Sequence, residues 1–175
     1  MFLLKFWVQG KIQLMEKGSK SILAKGLLEG YVGKTIQGAV VRAGFSLKTS
    51  DYKGLEGEYH DEWAADFNGG GQELVVASNG EKATRVYAGG TLAEEELAKL
   101  GLTKKDVIGK LISFVNQLGD GTRLDENAES EEGKWKYTYQ VLKRIKEIPV
   151  DLGEEEISYD GKLVFVHYHI LSPVK

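Results

Sequence analysis

Two glutamates at similar places in the two halves of the chain are the first candidates for chemistry. Glu73 opens a β-rich run after a glycine-rich stretch, and Glu156 opens another after an acidic stretch. Each precedes an Asx-Gly pair, Asn79-Gly80 or Asp160-Gly161, that is typical of a β-hairpin turn. Facing carboxylates perturb each other's pKa, which suits acid–base chemistry or a cationic ligand. The alternative is that each glutamate accepts backbone hydrogen bonds and anchors its hairpin.

Aromatic residues alternate with polar ones near both glutamates. In GEYHDEW, Tyr59, Asp61 and Trp63 share one face of a predicted half-buried strand, and WKYTY repeats the alternation later. A carboxylate among aromatic rings is costly unless it is paired or hydrated. The pattern therefore predicts either a pocket for a flat or cationic ligand or an ordinary core with Asp61 at its edge. The ligand-binding residues predicted on this basis are Asp61, Trp63, Glu73, Tyr87, Tyr139 and Glu156.

The chain has three histidines, which are weaker candidates for a metal site. His167 and His169 are two residues apart on a predicted strand, so their side chains leave the same face. With His60 they offer three imidazoles, enough for a divalent ion, although ordinary sheet-surface histidines are the more frequent case. No catalytic residue and no cofactor is assigned. The Gly33-Lys34-Thr35 stretch does not predict a phosphate loop, because Leu28 stands where such a loop needs glycine.

Composition excludes several classes of protein. The 175 residues include 23 basic and 26 acidic side chains, and a net charge of −3 does not favour nucleic-acid binding by the chain on its own. The absence of cysteine excludes disulfides and thiolate catalysis and fits the cytoplasmic location that we predict. The apolar run at the N-terminus is short and broken by Lys5, so we expect a core-packed strand or helix, with no membrane span. Met15 is an alternative start.

Local signals predict the following elements. Ser19 or Ser21 caps a first helix, and residues 39–47 form a strand. Glycines 69–71 and residues 125–132 read as loops. Thr91 and Glu94 form a capping box that opens one further helix, and Thr103 and Asp106 open another.

The same signals recur, which predicts an internal duplication. Glu73 matches Glu156, Tyr87 matches Tyr168, and the two Asx-Gly turns match each other. We therefore predict one α+β domain over 1–175, with α-β-β-β repeats at about 19–92 and 103–172. Antiparallel sheet would carry helices packed on it, and the site would lie in a cleft between the repeats.

A resemblance follows from these motifs. The aromatic alternation after Gly57, then Gly71-Gln72-Glu73, Asn79-Gly80 and the run YAGG from Tyr87, resembles an uncharacterised prokaryotic domain family. Its members occur alone or behind a helix-turn-helix segment, and the likeness covers roughly 22–172. The family has no assigned activity. Residues 82–86 lack the tryptophan of the family pattern, and His169-Ile170 replaces a glycine pair, which implies an altered site in the second half.

Three functions remain open at this point. The first is a module that binds or senses a small molecule. The second is a hydrolase that uses the paired glutamates or a histidine-bound metal. The third is a protein-interaction module that pairs through a sheet edge or face. The partners considered are a small-molecule ligand, a second copy in a homodimer, and a DNA-binding partner chain.

Overall fold

The computed structural model describes residues 18–33, 37–119, 122–124 and 126–174. Within them, nine strands form one antiparallel sheet in the order β1-β2-β3-β4-β5-β9-β8-β7-β6. The strands are β1 Gln37–Arg42, β2 Phe45–Gly54, β3 Gly57–Ala65, β4 Asn68–Ala77, β5 Lys82–Thr91, β6 Ala128–Glu132, β7 Trp135–Ile145, β8 Val150–Tyr159 and β9 Lys162–Val174. The helices are α1, which is α-helical over 18–25 and π-helical over Gly26–Val32, α2 Glu94–Ala98 and α3 Lys104–Leu118. The predicted α+β class, an antiparallel sheet with helices, is confirmed in this form.

Two runs of hairpins build the sheet from its edges to its centre. Strands β1 to β5 pair consecutively, as do β6 to β9, and the last strand of each run pairs with the other. Tyr87 of β5 lies opposite His169 of β9. Residues distant in sequence therefore meet on the central strands.

Turn chemistry explains three of the hairpins. Gly80 has a φ of 87°, and Asp160 and Gly161 have φ values of 51° and 77°, so both predicted Asx-Gly turns are confirmed. A further turn at Ala43 and Gly44, with φ values of 47° and 84°, separates β1 from β2. The prediction of one strand over 39–47 is therefore wrong.

The sequence predicted the start of one of the three helices correctly. Thr103 and Asp106 open α3 as predicted, and the structure shows that they form a capping box. In contrast, Thr91 ends β5, and α2 begins at Glu94 itself after an N-cap at Ala93 without a side-chain cap. Ser19 and Ser21 lie within a helical segment that is already formed at residue 18.

Both predicted loops, 69–71 and 125–132, contain strand residues instead. Glycines 69–71 belong to β4, and Ala128–Glu132 forms β6 at the edge of the sheet. Neither segment has high β propensity, but pairing with β3 and β5, or with β7, supplies backbone hydrogen bonds that outweigh propensity. The N-terminal segment 1–17, Met15 included, and Lys34-Thr35 lie outside the described residues.

Helices α1 and α3 cover one face of the sheet and bury two apolar clusters. One consists of Leu27, Leu97, Val107, Leu111, Phe114, Val115, Tyr137, Tyr139, Ile157, Val164 and Phe165. The other consists of Ile22, Leu23, Tyr59, Val75, Ala77, Ala83 and Leu171. On the opposite face of the central strands, apolar side chains are exposed, among them Leu74, Val76, Val86, Tyr168 and Ile170. No helix in the described part of the chain is long and apolar enough to cross a membrane.

Candidate functional site

A buried ion pair occupies the helix-covered face of β4 and β5. Glu73 lies opposite Arg85, and the two side chains are 2% and 1% exposed. The Arg85 guanidinium donates from Nη2 to Glu73 Oε1 at 2.7 Å and from Nε to Oε2, and the Tyr59 hydroxyl donates to Oε1 at 2.9 Å. Burial alone would raise the pKa of Glu73, but the charge and hydrogen bonds of Arg85 outweigh it and lower the pKa. Glu73 is therefore ionised, and Arg85 and Tyr59 supply its three hydrogen bonds.

A second buried ion pair lies across the centre of the sheet. Glu155 of β8 accepts hydrogen bonds from Arg123 Nε at 2.7 Å and Nη2 at 2.8 Å, and from the Tyr137 hydroxyl at 2.7 Å. Arg123 comes from the segment before β6, with a φ of 60°. Burial alone would raise the pKa of Glu155, but Arg123 holds it well below its ordinary range. The Arg123 carbonyl accepts from Arg85 Nη1 at 2.6 Å, which links the two ion pairs.

Asp61 is a third buried carboxylate, and it has no cation of its own. It is 3% exposed and lies opposite Glu73 on β3. Among the described residues its only hydrogen-bond donor is the Tyr87 hydroxyl, at 3.1 and 3.2 Å from its two oxygens. A side chain at Gly71 would collide with that hydroxyl, so the glycine lets Tyr87 reach Asp61. Burial and the neighbouring charge of Glu73 raise the pKa of Asp61 to about 8, so it is protonated at neutral pH.

A cavity of about 80 Å³ lies between these strands and helices α1 and α3. Tyr31 and Trp63 meet edge to face on its wall, with ring centroids 5.6 Å apart. The other lining side chains include Asp61, Phe67, Glu73, Tyr87, Arg123, Phe165 and His167. Since one water molecule needs about 10–15 Å³ by this measure, the cavity has room for several waters or one small molecule.

Two of the three histidines join the site. The rings of His167 and His169 lie 5.4 and 5.9 Å from the Tyr87 ring, centroid to centroid. Burial lowers the pKa of His167 to about 3 and also lowers that of His169, so both imidazoles are neutral. His60 points to the other face of β3, where its ring nitrogens contact Asp51 at 2.6 Å and Glu62 at 3.1 Å. The structure therefore brings together His167 and His169 but not His60.

The six predicted ligand-binding residues divide into three groups. Asp61, Trp63, Glu73 and Tyr87 line the cavity. Tyr139 is buried beside His169 and donates its hydroxyl to the Leu124 carbonyl at 3.0 Å, away from the cavity lining. Glu156 is on the opposite face of β8 from Glu155. The expectation that Glu73 and Glu156 face one another is therefore wrong, because Glu155 holds the helix-facing position.

Three central residues of the site were missed in the sequence. Arg85 had a usable signal, since a charge between Ala83 and Tyr87 in a period-two pattern indicates a buried ion pair. Glu155 stands in a run of three glutamates, which hides the alternation. Arg123 lies outside any periodic element, so no pattern pointed to it.

Comparisons with known proteins place the chain in no established group. No family model, no curated protein and no solved structure matches it. The resemblance to an uncharacterised prokaryotic domain family stays a prediction that rests on its short motifs. The homodimer, the DNA-binding partner chain and the cytoplasmic location also stay predictions.

Proposed function

We propose that this protein is a small-molecule-binding module whose ligand places a single positive charge beside Asp61 in the cavity. The observation that carries the proposal is a buried carboxylate without a cation partner in an aromatic-walled cavity. Among the described residues, Asp61, Glu73 and Glu155 face only two buried guanidinium groups, Arg85 and Arg123. A monovalent cation in the cavity balances the third carboxylate once Asp61 ionises, and it avoids the cost of an unpaired buried charge.

The walls of the cavity favour the same class of ligand. Trp63, Tyr31 and Phe67 present aromatic rings next to the acid. Aromatic faces attract cations, tryptophan most strongly, and they also stack on flat groups. The small volume selects a compact group such as guanidinium or a substituted ammonium over a large metabolite.

We also propose that the chain is an internal duplication, with the cavity beside the junction of the two repeats. Glu73 lies opposite Asp61 and next to Arg85, and Glu155 lies opposite Tyr139 and next to His167. Tyr59 donates to the first glutamate as Tyr137 donates to the second. These correspondences support a repeat in which β2–β5 match β6–β9 and in which Glu155, rather than Glu156, is the counterpart of Glu73.

The test uses methylguanidinium, which is a small, flat and permanent cation, and N-methylurea as its neutral isostere. Isothermal titration calorimetry should detect binding of methylguanidinium and at least tenfold weaker binding of N-methylurea. Because methylguanidinium has no proton to lose near neutral pH, ionisation of Asp61 should release about one proton per ligand at pH 7, measured in two buffers of different ionisation enthalpy.

Two variants separate this site from surface electrostatics. Asp61→Asn should weaken methylguanidinium binding at least tenfold and abolish proton release. Asp66→Asn is the matched control, because Asp66 lines the same cavity but is exposed and pairs with Lys104 at 2.8 Å. Equal binding of the cation and its isostere, or equal losses in the two variants, would overturn the proposal.

A further inference from the structure

Two imidazoles and one carboxylate converge on β8 and β9. His167 lies directly opposite Glu155, and His169 follows on the same face. Glu155 Oε2 is 3.8 Å from His167 Nδ1 and 3.5 Å from His169 Nε2. One ligand atom from each residue lies within 4.8 Å of the other two. The side chains are almost removed from solvent, with exposed fractions of 0% for Glu155, 2% for His169 and 16% for His167.

Three of the four imidazole nitrogens of this cluster make no hydrogen bond of normal geometry to any described residue. His169 Nδ1 has no partner, and the only polar contacts of His169 Nε2 and His167 Nδ1 among the described residues are the long ones to Glu155 Oε2, at 3.5 and 3.8 Å. Buried polar atoms are rarely left in this state, because the loss of hydration is not compensated. An imidazole nitrogen without a donor beside it offers its lone pair to a metal ion.

Glu155 has one acceptor position that faces the imidazoles. A carboxylate oxygen can accept two hydrogen bonds. Oε1 accepts from both Arg123 Nε and the Tyr137 hydroxyl, whereas Oε2 accepts a normal hydrogen bond only from Arg123 Nη2. Oε2 is also the oxygen nearest to both histidines. Arg123 and Tyr137 thus orient the carboxylate as partners of metal ligands do, and they leave its second lone pair open.

We propose that Glu155, His167 and His169 bind one transition-metal ion of the zinc class. Two histidines and a glutamate are the protein ligands of one group of catalytic zinc sites, which keep a fourth position open. Ligand atoms at about 2.0–2.2 Å from a tetrahedral ion lie about 3.3–3.6 Å from one another, close to the 3.5 and 3.8 Å measured here. His167 also lines the cavity, so the open position faces it.

The charge of the buried cluster accommodates the ion. Ionised Asp61 balances one of its two positive charges, because the three carboxylates exceed the two guanidinium groups by one. An anion or hydroxide in the open position balances the other. This inference does not depend on the proposed cationic ligand. The metal ion and that ligand would, however, both be balanced by the same excess negative charge of the buried carboxylates. Zinc should therefore weaken methylguanidinium binding, and methylguanidinium should weaken zinc binding by the same factor.

The experiment adds Zn²⁺ or Co²⁺ to the full chain after treatment with a chelator. Equilibrium dialysis should find one equivalent bound, and Co²⁺ should give the visible absorption bands of a four-coordinate site without thiolate bands, because the chain has no cysteine. His167→Gln and His169→Gln should each lower the affinity for Zn²⁺ and Co²⁺ by roughly a hundredfold. Loss of a residue that only orients a ligand costs up to about a hundredfold, and loss of a direct ligand should cost at least as much. His60→Gln, the remaining histidine, is the matched control and should bind like the wild type.

A second measurement needs no substitution at His167 or His169 and covers the case in which those substitutions prevent folding. In the wild type, Co²⁺ should shift or broaden the imidazole proton resonances of two histidines and leave the third unchanged. Assignment through His60→Gln should show that the unchanged resonance belongs to His60. Binding below one equivalent, equal affinity in all three variants, or perturbation of His60 alone would each overturn the metal site.

Discussion

The two halves of the sheet bury the same pairing of glutamate and tyrosine but complete it in different ways. In the first half the arginine beside Glu73 is Arg85, from the neighbouring strand. In the second half the neighbouring strand offers His167, and Arg123 reaches Glu155 from the segment before β6. Because Arg123 reaches Glu155 from the segment before β6, the position on β9 beside Glu155 holds the imidazole of His167 instead of an arginine. One type of buried ion pair can therefore support two chemistries, depending on which side chain stands beside it.

The residues opposite the glutamates differ as well. Asp61 faces Glu73, whereas Tyr139 faces Glu155. An acid next to an acid creates an excess of negative charge, while a tyrosine leaves the second ion pair balanced. The first half is therefore suited to a cationic organic group, and the second half to a metal ion held by neutral imidazoles.

The largest effect we expect is from Glu73→Gln, which keeps the shape of the side chain and removes its charge. Arg85, only 1% exposed, then loses its carboxylate and keeps the Arg123 carbonyl. Breaking a buried pair costs about 3–5 kcal/mol. Because the charge of Glu73 helps to raise the pKa of Asp61, its loss lets Asp61 ionise and offset part of that cost. We expect a loss of about 3 kcal/mol in the free energy of unfolding, measured with urea at pH 7.

Glu156→Gln is the matched control for that variant. Glu156 is half-buried on the opposite face of β8, outside both ion pairs, so its substitution should change the free energy of unfolding by no more than about 0.5 kcal/mol. If Glu156→Gln were as damaging as Glu73→Gln, Glu156 rather than Glu155 would occupy the buried position on β8 and the faces assigned to β8 would be incorrect.

A pH-dependent effect should distinguish Asp61, which lies opposite Glu73, from Tyr139, which lies opposite Glu155. The folded chain holds a proton on Asp61 up to about pH 8, whereas the unfolded chain releases it near pH 3.8. Between pH 5 and 7 the folded state therefore binds one more proton, and this group's contribution to stability falls as pH rises. The free energy of unfolding of the wild type should fall relative to that of Asp61→Asn by about 1.4 kcal/mol per pH unit.

The difference between the two proteins isolates Asp61, because all other titrating groups are common to both. The ionisable groups that face Asp61 are Tyr31, Tyr59, Glu73, Arg85, Tyr87 and Arg123. Urea unfolding at several pH values, with a chelator present, gives the slope for each protein. Parallel pH profiles for wild type and Asp61→Asn would mean that Asp61 is ionised throughout and that the site carries a full unbalanced charge.

The sequence predicted those parts of the fold that depend on local chemistry. Asn79-Gly80 and Asp160-Gly161 turn where they were expected, because few residues tolerate a positive φ. The faces of β3 followed from its period-two alternation, which set Asp61 among aromatic residues. The strand β6 could not be predicted, since its residues Ala128–Glu132 are stabilised by pairing with β7 rather than by propensity.

The error at Glu156 has a structural cause. Counting back from the Asp160-Gly161 turn assigns the same face as in the first hairpin only if the two turns close in the same phase. Glu73 lies six residues before Asn79, but the buried Glu155 lies five residues before Asp160, and an offset of one residue moves a side chain to the other face. Arg123 was beyond prediction for another reason: its contact with Glu155 spans 32 residues and depends on the assembled sheet.

The smallest effect we expect separates two tyrosine hydroxyls. Tyr139→Phe removes the hydrogen bond to the Leu124 carbonyl, a neutral acceptor, and should cost about 1 kcal/mol at any pH from 6 to 9. Tyr87→Phe removes the only donor to Asp61 among the described residues. That hydrogen bond lowers the pKa of Asp61, so it is stronger when Asp61 is ionised.

Tyr87→Phe should therefore cost about 1 kcal/mol at pH 6, where Asp61 is protonated, and about 1.5–3 kcal/mol at pH 9, where it is charged. Urea unfolding of the wild type and both variants at pH 6 and pH 9, again with a chelator, gives the loss in free energy of unfolding for each variant at each pH. If the loss in free energy of unfolding rises with pH for Tyr87→Phe alone, the Tyr87 hydroxyl stabilises the charged form of Asp61 in the cavity. The same cost for both variants at both pH values would mean that the Tyr87 hydroxyl is no more than a structural hydrogen bond, and the contrast between the two halves would then rest on Asp61 and His167 alone.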